Sequence, residues 1–213
     1  MSVPSIIVVG AGGHAVAVAD ALLAQGRSVK GFIDPAISMK NRSFCGLPVL
    51  GGDEILEQYN SSEVMLVNGI GGVGSTQVRM RVQNRLQDLG WKFDGAIHPS
   101  ALISPFAKID SDVQILARAV VQPNARIETG CIVNTGAIIE HDVYLGAWTH
   151  VAPGAIICGG VQVAEGCHVG AGAIMKQGIR LGSQTVVGAG AVVVRPFEGC
   201  GTLVGVPAHK LEV

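Results

Sequence analysis

The 213-residue chain has a formal net charge of −1, and 48% of its residues are hydrophobic. A nearly balanced charge without a basic cluster offers no electrostatic footprint for nucleic acid, and no apolar run approaches the roughly 20 residues of a membrane span. Met1 to Ile6 lack the basic start of a signal peptide, and the five cysteines form no C-x-x-C pair. We therefore expect a cytoplasmic protein without disulfides or a zinc site.

The N-terminal part of the chain alternates between strand and helix signals. Ser5 to Val9 is an aliphatic run that predicts a strand, and the glycine-rich residues 10–15 lead into an apolar helical stretch through Ala24. Val29 to Ile33 predicts a second strand, which closes on Asp34. A third strand and a second helix are predicted over Val64 to Val67 and Gln77 to Leu89. This order predicts a compact, Rossmann-like βαβαβ unit.

The glycine-rich first turn predicts a phosphate-binding site. It reads G-x-G-x-x-A from Gly10, and Asp34 follows 24 positions later, a spacing that suits a carboxylate on a ribose. Glycines let a ligand approach the backbone, and the helix N-terminus offers unpaired N–H groups. Because the unit has only half the strands of a dinucleotide fold, a single nucleotide, as in a nucleotide-sugar, fits better. Glycines that simply make a tight βα turn are the alternative.

An aliphatic residue recurs every six positions through the second half of the chain. Sixteen positions follow this grid without interruption, namely Ile103, Ile109, Ile115, Val121, Ile127, Val133, Ile139, Leu145, Val151, Ile157, Val163, Val169, Met175, Leu181, Val187 and Val193. With 48% hydrophobic residues, a chance run of this length has odds of about one in a hundred thousand. No helix or ordinary strand has a six-residue period, whereas a parallel β-helix does.

Each hexad makes one short side and a turn, and three such sides close one triangular coil, so each residue lies above the residue three hexads earlier. The complete hexads from 103 to 192 therefore supply five coils, and each coil is expected to bond to the next at about 4.8 Å. Gly, Asn and Asp at the corners supply the tight turns. A β-sandwich of short strands is the alternative, but it would show irregular loop lengths.

This combination of domains resembles a known family. A small α/β unit, an unbroken hexapeptide helix and Val-Gly-Val-Pro-Ala at residues 204–208 are similar to acetyl-CoA-dependent acyltransferases that modify nucleotide-linked amino sugars. The resemblance is strongest to the UDP-4-amino-sugar N-acetyltransferases of the bacillosamine pathway, in the sialic acid O-acetyltransferase-like family. Its sharpest parts are residues 10–15, 134–135, 140–142 and the segment around His150.

The resemblance implies a fold and an assembly. It implies a nucleotide-sugar-binding α/β domain over residues 1–96 and a left-handed β-helix acetyltransferase domain with a C-terminal tail over residues 97–213. Members of this family are usually homotrimers with active sites between adjacent subunits. We therefore expect this chain to form a homotrimer as well.

The resemblance also implies roles for individual residues. His141 is expected to be the general base, Asp142 the carboxylate that raises its basicity, and Gly159 the backbone N–H donor to the thioester carbonyl. Three residues are expected to contact acetyl-CoA, namely His150, Ala171 and Ala189. Five residues are expected to hold the nucleotide-sugar, namely Gly12, Gly13, His14, Asp34 and Gly71. No metal is expected, and some relatives carry Glu where this chain has Asp142.

The coil length lets part of this assignment be checked by arithmetic. Positions that differ by 18 lie one above the other, so Gly159 places no side chain over His141, and Asn124 comes within reach of the Asp142 carboxylate. Two further stacked pairs follow from the same spacing, namely His150 with His168 and Ala171 with Ala189. The glycines on either side of the two alanines would expose backbone to a long thin ligand such as pantetheine.

The resemblance thus implies an acetyl-CoA-dependent N-acetyltransferase that acts on a UDP-linked 4-amino-4,6-dideoxy sugar, and the candidate base predicts direct attack on the thioester. An O-acetyltransferase acting on sialic acid or a related sugar and a GDP-perosamine N-acetyltransferase are alternatives. A nucleotide-binding scaffold, with the β-helix as a trimerisation stalk, is a third. A gamma-type carbonic anhydrase uses the same helix, but His141, His150 and His168 do not follow the spacing of its three zinc ligands.

Overall fold

The structure is a computed structural model, and it describes residues 4–36, 42–72 and 76–212. The start of the segment read for a signal peptide and the outer ends of both predicted domains lie outside these described residues. The chain divides into two compact units, residues 1–71 with 78–99 and residues 72–77 with 100–213. Among the described residues, no helix is long and apolar enough to cross a membrane.

The N-terminal unit is a Rossmann-like sheet with two α-helices. Its elements are β1 (Ser5–Val9), α1 (Gly13–Ala24), β2 (Val29–Ile33), β3 (Ser43–Phe44), β4 (Leu47–Gly51), a 3-10 helix (Asp53–Gln58), β5 (Val64–Asn68), α2 (Gln77–Asp88) and β6 (Ala96–Ile97). The sheet order is β3-β4-β2-β1-β5, and β1 pairs in parallel with both β2 and β5. The carboxyl ends of β1 and β5 therefore lie side by side at one sheet edge.

The predicted βαβαβ order is confirmed, and the structure adds a hairpin that the sequence did not predict. Strands β3 and β4 pair antiparallel, and β4 also extends the sheet next to β2. The apolar run of β4 is only five residues long and contains Pro48, which weakens a strand prediction. At the edge of a sheet such a strand is tolerated, and β4 forms there against the central strands.

The second unit is a parallel β-helix of short strands. They are β7 (Leu102–Ile103), β8 (Lys108–Ile109), β9 (Gln114–Ile115), β10 (Val120–Val121), β11 (Arg126–Ile127), β12 (Ile132–Val133), β13 (Ile138–Ile139), β14 (Tyr144–Leu145), β15 (His150–Val151), β16 (Ile156–Ile157), β17 (Gln162–Val163), β18 (His168–Val169), β19 (Ile174–Met175), β20 (Arg180–Leu181), β21 (Thr185–Val187), β22 (Val192–Val193), β23 (Gly201–Val204) and β24 (His209–Lys210). From β7 to β22, each strand pairs with the strand three hexads away, as in Val121 with Ile139 and Ile139 with Ile157. The predicted coil length is confirmed.

The strands form three flat faces. The first face stacks β7, β10, β13, β16, β19 and β22, and the second stacks β8, β11, β14, β17 and β20. The third face stacks β9, β12, β15, β18 and β21, followed by β23 and β24. The corner that holds residue 141 joins the first face to the second, and the corner that holds residue 171 joins the third face to the first.

The aliphatic grid fills the interior of the coils. Every grid residue from Ile115 to Val193 is buried, whereas Ile103 and Ile109 in the first coil are partly buried. Two polar residues also point inward, and their hydroxyls are satisfied, because Thr149 donates to Ala164 O at 3.1 Å and Thr185 donates to Gly199 O at 3.0 Å. A column of aliphatic residues in the interior explains why the mean hydropathy is as high as +0.44.

The corners expose backbone in a repeated pattern. Two residues form the tip of each corner, as Pro123-Asn124, His141-Asp142 and Gly159-Gly160 do. The second of the two has left-handed φ, with 63° at Asn124, 61° at Asp142 and 68° at Gly160. Its N–H donates to the first corner residue of the preceding coil, as from Asp142 to Pro123 O at 3.1 Å and from Gly160 to His141 O at 2.9 Å. The N–H of the first corner residue is not used in this ladder, so at Gly159, Ala171 and Ala189 the described residues provide no backbone acceptor for it.

We predict that Gly130→Ala destabilises the protein more than Gly154→Ala. Both glycines have left-handed φ, 66° and 67°, so both substitutions carry the same backbone strain, roughly 1–2 kcal/mol. A Cβ at Gly130 would also lie 2.6 Å from the Trp148 ring, whereas nothing lies within 4 Å at Gly154. The overpacking adds about 1–3 kcal/mol to the loss. Equal urea midpoints for the two variants would contradict this packing.

Candidate active site

The first corner side chain of interest is His141, which pairs with its neighbour in sequence. His141 Nδ1 lies 2.8 Å from Asp142 Oδ2, and the two side chains are 54% and 56% exposed. Since a carboxylate only accepts hydrogen bonds, Nδ1 carries the proton in this contact. The lone pair of the neutral ring is therefore on Nε2, which makes Nε2 the basic atom of the corner.

The Asp142 carboxylate is held from the opposite side by the coil below. Asn124 Nδ2 donates to Asp142 Oδ1 at 3.1 Å, as their separation of one coil predicts. The hydrogen bond from His141 and then that from Asn124 lower the pKa of Asp142 below its usual value. The carboxylate is therefore ionised at neutral pH.

Gly159, in the coil above, lies directly against the His141 ring. A Cβ at Gly159 would be 2.6 Å from both His141 Nε2 and His141 Cε1, so only glycine leaves room for the ring in this position. Among the described residues, the Gly159 N–H donates to no backbone carbonyl, while the next N–H, of Gly160, donates to His141 O. The spacing argument of the sequence is confirmed by this close approach.

These contacts give the corner the parts of an acyl-transfer site. Nε2 of His141 is a base oriented by a carboxylate, which is the arrangement that accepts a proton from a nucleophile. The Gly159 N–H beside it is a fixed donor of the kind that stabilises an oxyanion. No group of three His, Cys, Asp or Glu residues that could hold a metal occurs in the described part of the chain. The roles expected of His141, Asp142 and Gly159 stay predictions.

A second histidine, His150, is buried on the third face and uses both ring nitrogens. Its Nδ1 lies 2.7 Å from Gly72 O, and its Nε2 lies 3.2 Å from Asn134 Nδ2. A carbonyl accepts and an amide NH2 donates, so these partners fit a neutral ring with the proton on Nδ1. His150 is only 5% exposed. Its contact with acetyl-CoA stays a prediction, and its bond to Gly72 could not be foreseen from coil spacing.

His168 packs directly above His150, as predicted from their separation of one coil. The rings meet edge to face at 4.9 Å between centroids with an interplanar angle of 76°. His168 is 7% exposed, and its Nδ1 has no hydrogen-bond partner among the described residues. Burial lowers the pKa of His168 below 6.5, an effect that the backbone of Gly72 partly opposes.

The predicted acetyl-CoA residues Ala171 and Ala189 lie at a different corner from His141. Both are exposed, and their N–H groups have no backbone acceptor within the described ranges. The following glycines, Gly172 and Gly190, have φ of 65° and 67° with open space around them. The stacked column of accessible backbone is therefore present. Its contact with CoA stays a prediction, because the two corners lie at opposite edges of the first face.

In the N-terminal unit the structure brings most of the predicted nucleotide residues together. Gly12 is the N-cap of α1, and neither Gly12 nor Gly13 has anything within 4 Å of the position that a Cβ would occupy. A Cβ at Gly71 would lie 3.2 Å from His14 Cβ, so the loop after β5 meets the start of α1. This is the carboxyl edge of the sheet, where ligands of open α/β folds bind.

Asp34 has a structural role that the sequence did not predict. Its Oδ2 accepts the Ala11 N–H at 2.9 Å, and its Oδ1 accepts the Ala36 N–H at 2.9 Å. The carboxylate thus ties the end of β2 to the glycine-rich turn. Each oxygen keeps a further lone pair, so the predicted contact with a nucleotide remains open to it.

We predict that His168 makes the fold sensitive to acid. Its pKa is about 6.5 in the unfolded chain and lower in the fold, so between these values the unfolded chain binds a proton that the folded chain does not. Stability is therefore full above pH 6.5 and falls as the pH decreases toward the folded pKa, by at most about 1.4 kcal/mol per pH unit. Urea unfolding from pH 7.5 to 5 should show a smaller decrease for His168→Val, and parallel curves would refute the assignment.

Comparison with known proteins agrees with this architecture. Residues 5–86 match the model of the PglD N-terminal domain. The structure of PerB from Caulobacter crescentus, in complex with CoA and GDP-perosamine, is 32% identical over 99% of both chains, with a TM-score of 0.89. Further structures describe that enzyme, a perosamine N-acetyltransferase, with a histidine replaced by Asn or Ala. No curated protein matches the sequence.

A second relative has the same two-part architecture. The acetyltransferase domain of PglB from Neisseria gonorrhoeae is 34% identical, covers 97% of this chain and 99% of that chain, and has a TM-score of 0.89. The same domain has been solved in complex with acetyl coenzyme A. WeeI from Acinetobacter baumannii, at 22% identity and a TM-score of 0.79, shares the fold. The chain therefore belongs to the left-handed β-helix sugar acetyltransferases with a PglD-type N-terminal domain, and it is an acyltransferase.

Proposed function

We propose that this chain transfers the acetyl group of acetyl-CoA to the amino group of a nucleotide-linked 4-amino-4,6-dideoxy sugar. The observation that carries the proposal is the close approach of Gly159 to the His141 ring, where a Cβ would lie 2.6 Å from Nε2, with Asp142 on the other ring nitrogen. This corner provides a base and an N–H donor side by side. Relatives of this chain bind acetyl coenzyme A in one case, and CoA with GDP-perosamine in another.

The reaction then needs no metal and no covalent enzyme intermediate. The sugar amine attacks the thioester carbonyl, and His141 Nε2 takes the proton that the nitrogen loses. Asp142 stabilises the imidazolium that forms, while the Gly159 N–H donates to the developing oxyanion. Collapse of the tetrahedral species breaks the carbon–sulfur bond, and the departing CoA thiolate recovers the proton from His141.

The nucleotide of the acceptor is assigned to the N-terminal unit. The N-terminal end of α1 suits a diphosphate, and Gly12 and Gly13 leave the approach open. Resemblance to the bacillosamine enzymes favours UDP. GDP-perosamine is the second candidate, because a relative that is 32% identical over 99% of its length is bound to it. The cytoplasmic location expected from the sequence stays a prediction.

We further propose that the active form is a homotrimer whose sites are completed by a neighbouring subunit. The first residue of each two-residue strand on the first face is aliphatic, namely Leu102, Val120, Ile138, Ile156, Ile174 and Val192. The His141 corner and the Ala171 corner border this face on opposite edges, separated by one hexad or at most about 20 Å. Packing of first faces would cover the aliphatic residues and bring corners of different subunits together.

The assembly is tested by sedimentation of an interface variant. Ile156→Glu places a charge on the first face, and we expect a monomer that has lost acetyl transfer. Gln162→Glu introduces the same side chain at an outward position of the second face and should remain trimeric and active. A wild-type protein that sediments as a fully active monomer would exclude the trimer.

The reaction is tested by thiol release from acetyl-CoA with UDP-, GDP- and dTDP-linked 4-amino sugars. We expect turnover with one nucleotide class, and a loss of about 10²-fold or more in His141→Ala, as for removal of a general base. Gly159→Ala should lose a comparable factor, because its methyl group would displace the His141 ring. Gly160→Ala is the control for lost stability, since it adds backbone strain at φ 68° while nothing lies within 4 Å of its Cβ position, and it should keep its activity.

The alternatives give different results in the same assay. Release with free sialic acid, and with no amino sugar, would identify an O-acetyltransferase. No release with any acceptor, together with no binding of acetyl-CoA, would favour a nucleotide-binding scaffold. Full activity of His141→Ala would reject the assigned base, whichever acceptor is used.

A further inference from the structure

We propose that Asn124 is a positioning residue that fixes the Asp142 carboxylate and, through it, the tautomer of His141. This inference rests on the proposed acetyl transfer, because it concerns the base of that reaction. Asn124 Nδ2 lies 3.1 Å from Asp142 Oδ1, and Asp142 Oδ2 lies 2.8 Å from His141 Nδ1. The three side chains form one chain of hydrogen bonds that ends at Nε2 beside Gly159.

The geometry fixes which group donates in each of these two hydrogen bonds. Both carboxylate oxygens are acceptors, so the amide of Asn124 must present its NH2 group and the imidazole its Nδ1–H. With the amide reversed, two oxygens would face each other, which rules out the other assignment of Asn124. As long as the carboxylate holds this orientation, the lone pair of His141 is confined to Nε2.

The carboxylate needs this support because it is short and exposed. Asp142 is 56% exposed. Among the described residues, only the side chains of Asn124 and His141 form hydrogen bonds with its carboxylate. Without Asn124 the carboxylate rotates in solvent, and the His141 ring can turn or exchange its proton between nitrogens. A base whose lone pair points away from the amine is inactive, so the loss is expected in the rate of acetyl transfer.

The fold places the two residues in register, each in a backbone conformation that its residue type tolerates. Asn124 and Asp142 are the second residues of successive corners and have φ of 63° and 61°. Asn and Asp are among the few residues that adopt this conformation readily. Glycine occupies the same place in the next two coils, at Gly160 and Gly178, so a glycine at 124 is compatible with this corner. Asn124→Gly therefore removes the amide without adding backbone strain.

The test combines kinetics with the tautomer of His141. For Asn124→Gly we expect kcat to fall about tenfold or more, as for a misplaced catalytic group, with both KM values within about twofold of wild type. In ¹⁵N-histidine spectra, the wild-type His141 should show a protonated Nδ1 and an unprotonated Nε2, and the variant should show a mixture. Gln184→Gly, at another left-handed corner with φ 55°, should change neither measurement.

An isosteric variant separates donation from packing. Asn124→Asp keeps the shape of the side chain but offers an acceptor and a negative charge to Asp142. If hydrogen-bond donation is the function of Asn124, this variant is at least as impaired as Asn124→Gly. If Asn124→Asp restores the wild-type rate and tautomer, the residue acts by shape alone and the proposal is overturned.

The remaining outcomes are also decisive. A wild-type tautomer in Asn124→Gly overturns the proposal, even if the rate falls, because the loss would then come from another cause. Failure of the proposed function is a separate result, seen as no acetyl transfer by the wild-type protein with any acceptor. The spectra need no substrate, so they test Asn124 in that case as well.

Discussion

The stacking of each coil on the coil three hexads earlier is the constraint on which the candidate site depends. Parallel pairing fixes each residue above its counterpart in the preceding coil, and the buried aliphatic column prevents slippage by a single residue, which would turn the grid residues outward. The contacts of the site are consequences of this register. Asn124 reaches Asp142, and His141 lies against Gly159, because each pair is separated by one coil.

The register also places the residues that stabilise the fold and the residues of the candidate site at different positions of each coil. The flat sides carry the interior packing, so their inward positions accept only aliphatic or small residues. The corners contribute little to the core, and at corners such as Gly159, Ala171 and Ala189 the N–H before the left-handed residue lies outside the ladder. Polar residues can therefore occupy corners without disturbing the fold. This explains how a base and its carboxylate can lie at one corner with a bare glycine at the same corner of the next coil.

Much of the fold and part of the site could be predicted because both follow from the six-residue period of the sequence. A period of six identifies the β-helix, and three such periods predict the neighbours of His141, Asp142 and His150 in the adjacent coils. The contact of His150 with Gly72 joins positions that differ by 78, and no periodicity links them. The hydrogen bonds of Asp34 to two backbone N–H groups depend on how loops of the sheet fold back, which spacing cannot determine.

A crystal structure with CoA and a nucleotide-linked amino sugar would test the central claim most directly. If the coil register builds the active site, the sugar amine nitrogen will lie about 3 Å from His141 Nε2. The CoA sulfur will lie next to the Gly159 N–H, with Asn124, Asp142 and His141 still joined by their hydrogen bonds. An amino group bound away from the His141 corner, with the sulfur elsewhere on the helix, would contradict the account.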